Sequence, residues 1–457
     1  MKKYIYLSIV IVLIYVFQSF FNATGGIGPD SLSYFGIASD LPRLETNLFP
    51  LGFPVVIRFF YEIFGDYFWS SKMLNISMVI TILLFSYFRK FYFKETVLLF
   101  GGKTLFFALN WAASEGLFVF ILYFLIYLFH QRFQNQIKSK FFIIFASLLF
   151  ILLFSVRYSG IYIFLGFGVF WMVMFLKNKF TPLNRDFFKV LLFSGSGILA
   201  YLIFNQYIYG SFTGENLRGA PAQYYAVYIL RDVLGVINVV DPFIAIKPAS
   251  NSVVSIAFQV CLMLVDLMLL RYFIKLVRKK KNVINFDFHR LIWVVSGVYA
   301  IALFISGYFQ QIEEMNVRML AAANFCLFFS FLIIYFKDLK SDRFIFRLGC
   351  FFLLFLTGYS LKMPSNYFNN RKQIEVQMPK FSHKKYLYNN ERGGEESLTT
   401  YHVPIIKKTF QYKHTSNQKG DVKHSIAGTI NPQIKWLKYD TIKDKSQVLY
   451  TSEIILK

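Results

Sequence analysis

The feature that most limits what this chain can become is a series of about eleven apolar runs. They lie at 4–21, 69–88, 95–111, 114–130, 141–157, 158–176, 190–208, 252–274, 291–309, 319–336 and 346–361. Crossing the hydrocarbon core of a bilayer takes about twenty residues of α-helix, so each run is near spanning length. A backbone in lipid must satisfy its own hydrogen bonds, which leaves a helix as the solution for a single run. The rest of the chain agrees, being 56% hydrophobic and 16% charged with a mean hydropathy of +0.47. A soluble domain carries about 25% charged residues. The sequence therefore predicts an all-α polytopic membrane protein.

The loops give the direction of each crossing, because cytoplasmic loops collect Lys and Arg. With Lys2 and Lys3 inside, alternate loops should be cationic. They are: Arg89, Lys90 and Lys94; Arg132, Lys138 and Lys140; Lys177, Lys179, Arg185 and Lys189. The series continues through Lys275, Arg278, Lys279, Lys280, Lys281 and Arg290, then Lys337, Lys340, Arg343 and Arg347. The intervening loops at 22–68, 112–113, 209–251 and 310–318 hold few cations. This pattern predicts a cytoplasmic N-terminus in a plasma (inner) membrane, and an odd number of spans puts everything after about Lys362 outside. The first run is long for a signal-peptide core and no Ala-x-Ala site follows it, so it reads as an uncleaved span.

Positive-inside loops also account for the formal net charge of +24, which in a soluble protein would suggest nucleic acid. No nucleic-acid partner is expected. Cys261, Cys326 and Cys350 fall in apolar runs, where a cysteine is a small buried hydrophobe. His383, His402, His414 and His424 are scattered, so zinc is not expected. No phosphate-binding Gly-rich loop and no His-Glu-x-x-His is present, which argues against a nucleotide-driven pump.

Two segments stand apart from the 1–362 membrane domain. Residues 363–457 hold sixteen Lys/Arg against eight Asp/Glu and no long apolar run. Alternating pieces at Ile434–Tyr439 and Gln447–Leu456 predict strands, and Gly393-Gly394 and Asn431-Pro432 predict turns. A small β-containing extracytoplasmic domain is expected; the other reading is a basic tail beside anionic headgroups. The second outer loop, 209–251, suits a surface segment with interfacial helix at 222–237.

Charges at outer span ends are the ones the loop bias does not explain. Asp30 sits in the Gly/Pro-rich turn Gly28-Pro29-Asp30-Ser31, where a carboxylate at the edge of the apolar slab suits taking a hydroxyl proton. It equally suits an N-cap, and Tyr34 would share its face of the helix. Glu115, in Ser114-Glu115-Gly116, reads as a metal ligand or its partner, or as a first-turn acid favoured by the helix dipole. Arg157 interrupts a long apolar stretch, and a cation there needs an anion or water. A lipid-linked phosphate would serve, as would Asp30 or Glu115. Arg318 follows Glu313 and Glu314 and reads either as a self-satisfied cluster or as half of an anion site. Arg218 and Lys247 are further phosphate candidates.

Taken in order, these pieces resemble the GT-C superfamily of polyprenyl-phosphate-dependent glycosyltransferases, particularly bacterial relatives of protein mannosyltransferases and the aminoarabinose transferase of lipid A. Pro29-Asp30-Ser31-Leu32-Ser33-Tyr34 and Ala38 are similar to the family's Asp-x-x-x-Tyr with a following Ala. Phe49-Pro50-Leu51-Gly52-Phe53-Pro54 and Phe64-Gly65 resemble its Pro-x-Gly-Tyr-Pro and Phe-Gly. Ser114-Glu115-Gly116, Arg157-Tyr158-Ser159-Gly160 and Arg318 before a late span look similar too. The resemblance covers about residues 1–335. It implies a GT-C-like fold and an inverting transfer with Asp30 as catalytic base. By this resemblance Arg157 and Arg318 would grip the phosphate; Tyr34, Tyr158, Glu115, Arg218 and Lys247 are the other residues expected in the substrate site.

The implied partners are a polyprenyl-phosphate sugar donor, membrane lipid, and a lipid, glycan or protein acceptor. Ser31 stands where protein mannosyltransferases carry a second acid, which leaves the acceptor open. No cofactor is called for, with a divalent metal ion left open. The alternatives are an O-antigen-type polysaccharide polymerase and a lipid-linked glycan transporter.

Overall fold

The computed structural model describes residues 1–361 apart from 22–25, 27–28, 43, 45, 180, 216–225, 241–251, 281–284, 310–314, 316–317 and 340, together with five short strands in the tail. Fifteen α-helices are described. In chain order they begin α1 (Lys2–Phe21), α2 (Pro29–Asp40), α3 (Gly52–Phe64), α4 (Tyr67–Phe88), α5 (Phe93–Leu99), α6 (Lys103–Ala108), α7 (Ser114–Phe133) and α8 (Ser139–Val156). They continue with α9 (Gly160–Asn178), α10 (Pro182–Tyr209), α11 (Ala226–Ile237), α12 (Val253–Lys280), α13 (Phe286–Ser306), α14 (Ala321–Asp338) and α15 (Arg343–Ser360).

Ten of these helices are long and apolar enough to cross a membrane, among the described residues. Their boundaries are set by local chemistry. Asp66 caps α4, its Oδ1 accepting from Trp69 N at 3.0 Å. Thr181 caps α10 with Pro182 in the first turn, and Asn285 caps α13. Gly65 (φ 66) and Gly210 (φ 71) close α3 and α10 in the left-handed conformation, which glycine adopts without strain. Inside the bundle α9 lies against α13 and α8 against α10, over a main core rich in Phe and Leu.

The expected span at 95–111 is corrected: it is not one helix but α5 and α6, broken at Phe100–Gly102. A Cβ at Gly101 would lie 3.0 Å from the Gly349 carbonyl oxygen, so α15 packs directly onto the break. Neither helix alone is long enough to cross a membrane. Ahead of α5, Arg89 Nε donates to the Tyr127 hydroxyl at 3.0 Å. Beyond α6, the carbonyls of Asn110 and Trp111 accept from Lys72 Nζ and Asn75 Nδ2 at 2.7 and 2.8 Å.

The first loop carries α2 and α3, and the second carries α11, which falls within the expected 222–237. In the tail, β1 (Tyr401–His402) pairs antiparallel with β2 (Gln411–Tyr412). β3 (Gln418–Gly420), β4 (Ile434–Tyr439) and β5 (Tyr450–Ile454) form a second antiparallel sheet in that order. β4 and β5 coincide with the alternating pieces seen in the sequence.

Candidate functional site

Four charged side chains from distant parts of the chain meet at one end of the bundle. Asp30 lies in the first turn of α2, which starts at Pro29, so it is inside the helix rather than its cap. Glu115 lies in the first turn of α7. Arg157 follows the last residue of α8, and Arg318 lies in the turn that opens α14. The Arg318 guanidinium bridges the two acids: Nη2 lies 2.8 Å from Asp30 Oδ2 and Nε lies 3.1 Å from Glu115 Oε1. Arg157 Nη1 lies 2.7 Å from the same Glu115 oxygen and donates to Ser114 Oγ at 3.0 Å. Ser114 Oγ in turn shares a 2.7 Å hydrogen bond with the Tyr34 hydroxyl. Tyr34 stands one turn after Asp30 on α2, so the chain of contacts closes into a ring.

Burial grades this ring. The Glu115 side chain is 5% exposed, Arg157 20%, Arg318 23% and Asp30 34%, so the ring opens at Asp30. Two guanidinium groups face two carboxylates, and the cluster is neutral as a whole. Burial alone would disfavour the Arg157 charge. The Glu115 carboxylate beside it more than offsets that, and the guanidinium holds its proton above the ordinary arginine range. Burial pushes the Tyr34 phenol above its ordinary value, against the opposing pull of Arg157, so it stays a neutral hydroxyl. The Tyr34 ring is held by Phe49 and Phe53, with centroids at 4.7 and 4.9 Å. Arg318 also lies over the Trp111 ring, 5.9 Å from its centroid.

Two further networks fix the segments that carry the ring. Tyr299 on α13 donates to the Met319 carbonyl at 3.1 Å and lies 3.3 Å from Ser159 Oγ, tying the Arg318 turn to the residues after Arg157. The Tyr158 hydroxyl donates to the Asn47 carbonyl at 2.8 Å and accepts from Asn205 Nδ2 at 3.1 Å. Asn47 Nδ2 reaches the Ser211 carbonyl at 2.8 Å, so the two long loops are bolted together there. Tyr158 therefore serves the loop junction, while its neighbour Arg157 serves the ring.

Of the residues singled out in the sequence, Asp30, Tyr34, Glu115, Arg157 and Arg318 come together. Arg218 and Lys247 lie outside the described residues, as do Glu313 and Glu314. Among the described residues no group of three His, Cys, Asp or Glu is placed to hold a metal ion. Three contributors escaped the sequence reading. Ser114 is the hinge between Tyr34 and Arg157, and Trp111 backs Arg318. The third is Lys72, 1% exposed near the start of α4, which grips the Asn110 carbonyl. Gly26 (φ +66) lies against it, its own carbonyl accepting from Ala112 N at 2.8 Å. Lys72 was legible as a lysine within an apolar span at the end where cations are scarce.

The fold and this ring together define a polytopic helical bundle with a charged cluster gathered at one end. No protein-family model matches the sequence, and no curated protein matches it. Among solved structures, the chain is similar to ArnT from Cupriavidus metallidurans bound to undecaprenyl phosphate, with a TM-score of 0.56 and 11% sequence identity. The match covers 95% of this chain and 89% of that one, so the likeness of fold extends over nearly the whole length of both.

Proposed function

We propose that this chain is a membrane glycosyltransferase that moves a sugar from a polyprenyl-phosphate donor to a hydroxyl of a lipid, glycan or protein acceptor at the outer face of the membrane. The observation that carries the reading is the ring itself. An accessible carboxylate, Asp30, is held by an arginine, Arg318, that shares Glu115 with a second arginine, Arg157. The likeness of fold to a protein solved with undecaprenyl phosphate supports the choice of donor class.

In this mechanism Asp30 accepts the proton of the acceptor hydroxyl as its oxygen attacks the anomeric carbon from the face opposite the phosphate. The bond from the anomeric carbon to the phosphate oxygen breaks, the electron pair leaves with the phosphate, and configuration inverts. The leaving group gains one negative charge, which the Arg157 and Arg318 guanidinium groups stabilise. Glu115 holds both arginines at the right spacing before the phosphate arrives. In this reading residues 363–457 are a soluble domain on the outer side of the membrane.

The test is transfer of labelled sugar from a panel of polyprenyl-phosphate sugars by the purified protein, beside its Asp30→Asn variant. Wild type should release polyprenyl phosphate, and the variant should lose about 100-fold or more in turnover, as expected for loss of a general base. An Asp30→Asn protein that inserts, folds and transfers as well as wild type would sink the mechanism and favour a glycan polymerase.

A further inference from the structure

The end of the bundle opposite the ring carries a feature that the transfer reaction does not use. Helix α12 is 28 residues long, about 42 Å at 1.5 Å per residue, against a hydrocarbon core of about 30 Å. Its packed face is marked by the buried residues Gln259, Leu262, Asp266 and Leu276. On the opposite side of the helix, Leu264, Leu267 and Met268 are 52%, 47% and 70% exposed. The same stripe continues toward the C-terminal end of α12 as Arg271, Lys275 and Arg278, all exposed and spaced i, i+4, i+7. Lys279 and Lys280 lie outside this set, because both bond Asp338 Oδ1, at 2.8 and 3.0 Å. Among the described residues no carboxylate lies within ion-pair distance of Arg271, Lys275 or Arg278.

Ring contacts seat this part of α12 against α14. Tyr272 and Phe273 pack on Phe331 with centroids at 6.4 and 5.6 Å. Two residues earlier on α14, Phe329 meets Phe91 at 5.7 Å, just beyond the end of α4. Residues 253–270 of α12 precede Arg271, about 27 Å of helix, so Arg271, Lys275 and Arg278 lie toward the far end of this candidate span. A cation on the lipid-facing side at this level keeps its stem along apolar surface and sends its charge to the headgroups.

We propose that this stripe binds the headgroup of an anionic phospholipid. The phosphate meets Arg271, Lys275 and Arg278, and an acyl chain runs along Leu264, Leu267 and Met268. Charge complementarity selects this occupant, since three cations on a lipid-facing helix that meet no carboxylate among the described residues can meet phosphate there. The lipid is thus a component of α12 rather than of the transfer site.

The experiment is native mass spectrometry of the full chain released from mixed phosphatidylglycerol and phosphatidylcholine. Wild type should retain phosphatidylglycerol in preference. Arg271→Gln/Lys275→Gln/Arg278→Gln should retain it roughly 100-fold less, and the paired-cation control Lys279→Gln/Lys280→Gln should match wild type. Excess inorganic phosphate should leave the bound lipid in place. Equal retention by the triple variant, equal loss in the control, displacement by free phosphate, or a dimer that depends on the stripe would each overturn the proposal. Should the triple variant fail to fold, Arg271→Gln alone must still lower retention severalfold, and no change there overturns the proposal as well.

Discussion

Glu115 carries two arginines on one oxygen, and that makes it the residue on which the ring depends. Removing its charge leaves Arg157 and Arg318 close together without the carboxylate oxygen that both contact, in a place where Glu115 is 5% exposed. Breaking a buried pair by deleting one partner costs about 3 kcal/mol or more. Glu115→Gln should therefore lower the melting temperature and abolish transfer together, measured on detergent-purified protein. Lys72 predicts the opposite split. Its burial without a carboxylate is unfavourable, while its hydrogen bond to the Asn110 carbonyl contributes about 1 kcal/mol. Lys72→Met should leave the melting temperature equal or higher. Turnover should fall severalfold, because the 110–112 turn that presents Ser114 and Glu115 loses its anchor. A variant that loses stability and activity in proportion would show that Lys72 acts only as part of the core.

At the scale of elements, the close approach of α9 to α13 ties packing to the site. A Cβ on Gly166 would lie 2.8 Å from Val295 Cα, backbone that has nowhere to yield. Gly166→Leu should push the two helices apart at a cost of about 1–3 kcal/mol. It should also reduce turnover, because Tyr299 on α13 clasps the Arg318 turn through the Met319 carbonyl. Thermal melting and transfer assays would read both effects. The helices themselves were legible in the sequence, since apolar length and loop charge are local properties. The break at Phe100–Gly102 was missed although Gly101-Gly102 is a local break signal, while the packing of Gly349 of α15 against it comes from far along the chain. The same limit applies to the site. Asp30, Glu115, Arg157 and Arg318 stood out singly as charges the loop bias leaves over. Their pairing joins residues as far apart as 288 positions and no local pattern encodes it. Arg318 in particular reads in the sequence either as part of a cluster with Glu313 and Glu314 or as half of an anion site, and among the described residues it meets Asp30 and Glu115.

At the scale of the whole molecule, the two ends of the bundle differ in charge, and that difference predicts which way it sits. One end gathers Arg89, Lys90, Arg132, Lys138, Lys140, Lys177 and Lys179. The other holds the neutral ring of Asp30, Glu115, Arg157 and Arg318 and the loop junction at Asn47 and Ser211. The positive-inside rule predicts the first end in the cytoplasm. Single cysteines in a background without the three native ones should report this. Phe212→Cys, near the loop junction, should react with a membrane-impermeant maleimide in intact cells. Gln136→Cys, between α7 and α8, should react only after permeabilisation. The reverse pattern would place the ring on the cytoplasmic side, where a nucleotide-activated sugar is the available donor class, and a lipid-phosphate donor reached from outside would no longer be tenable.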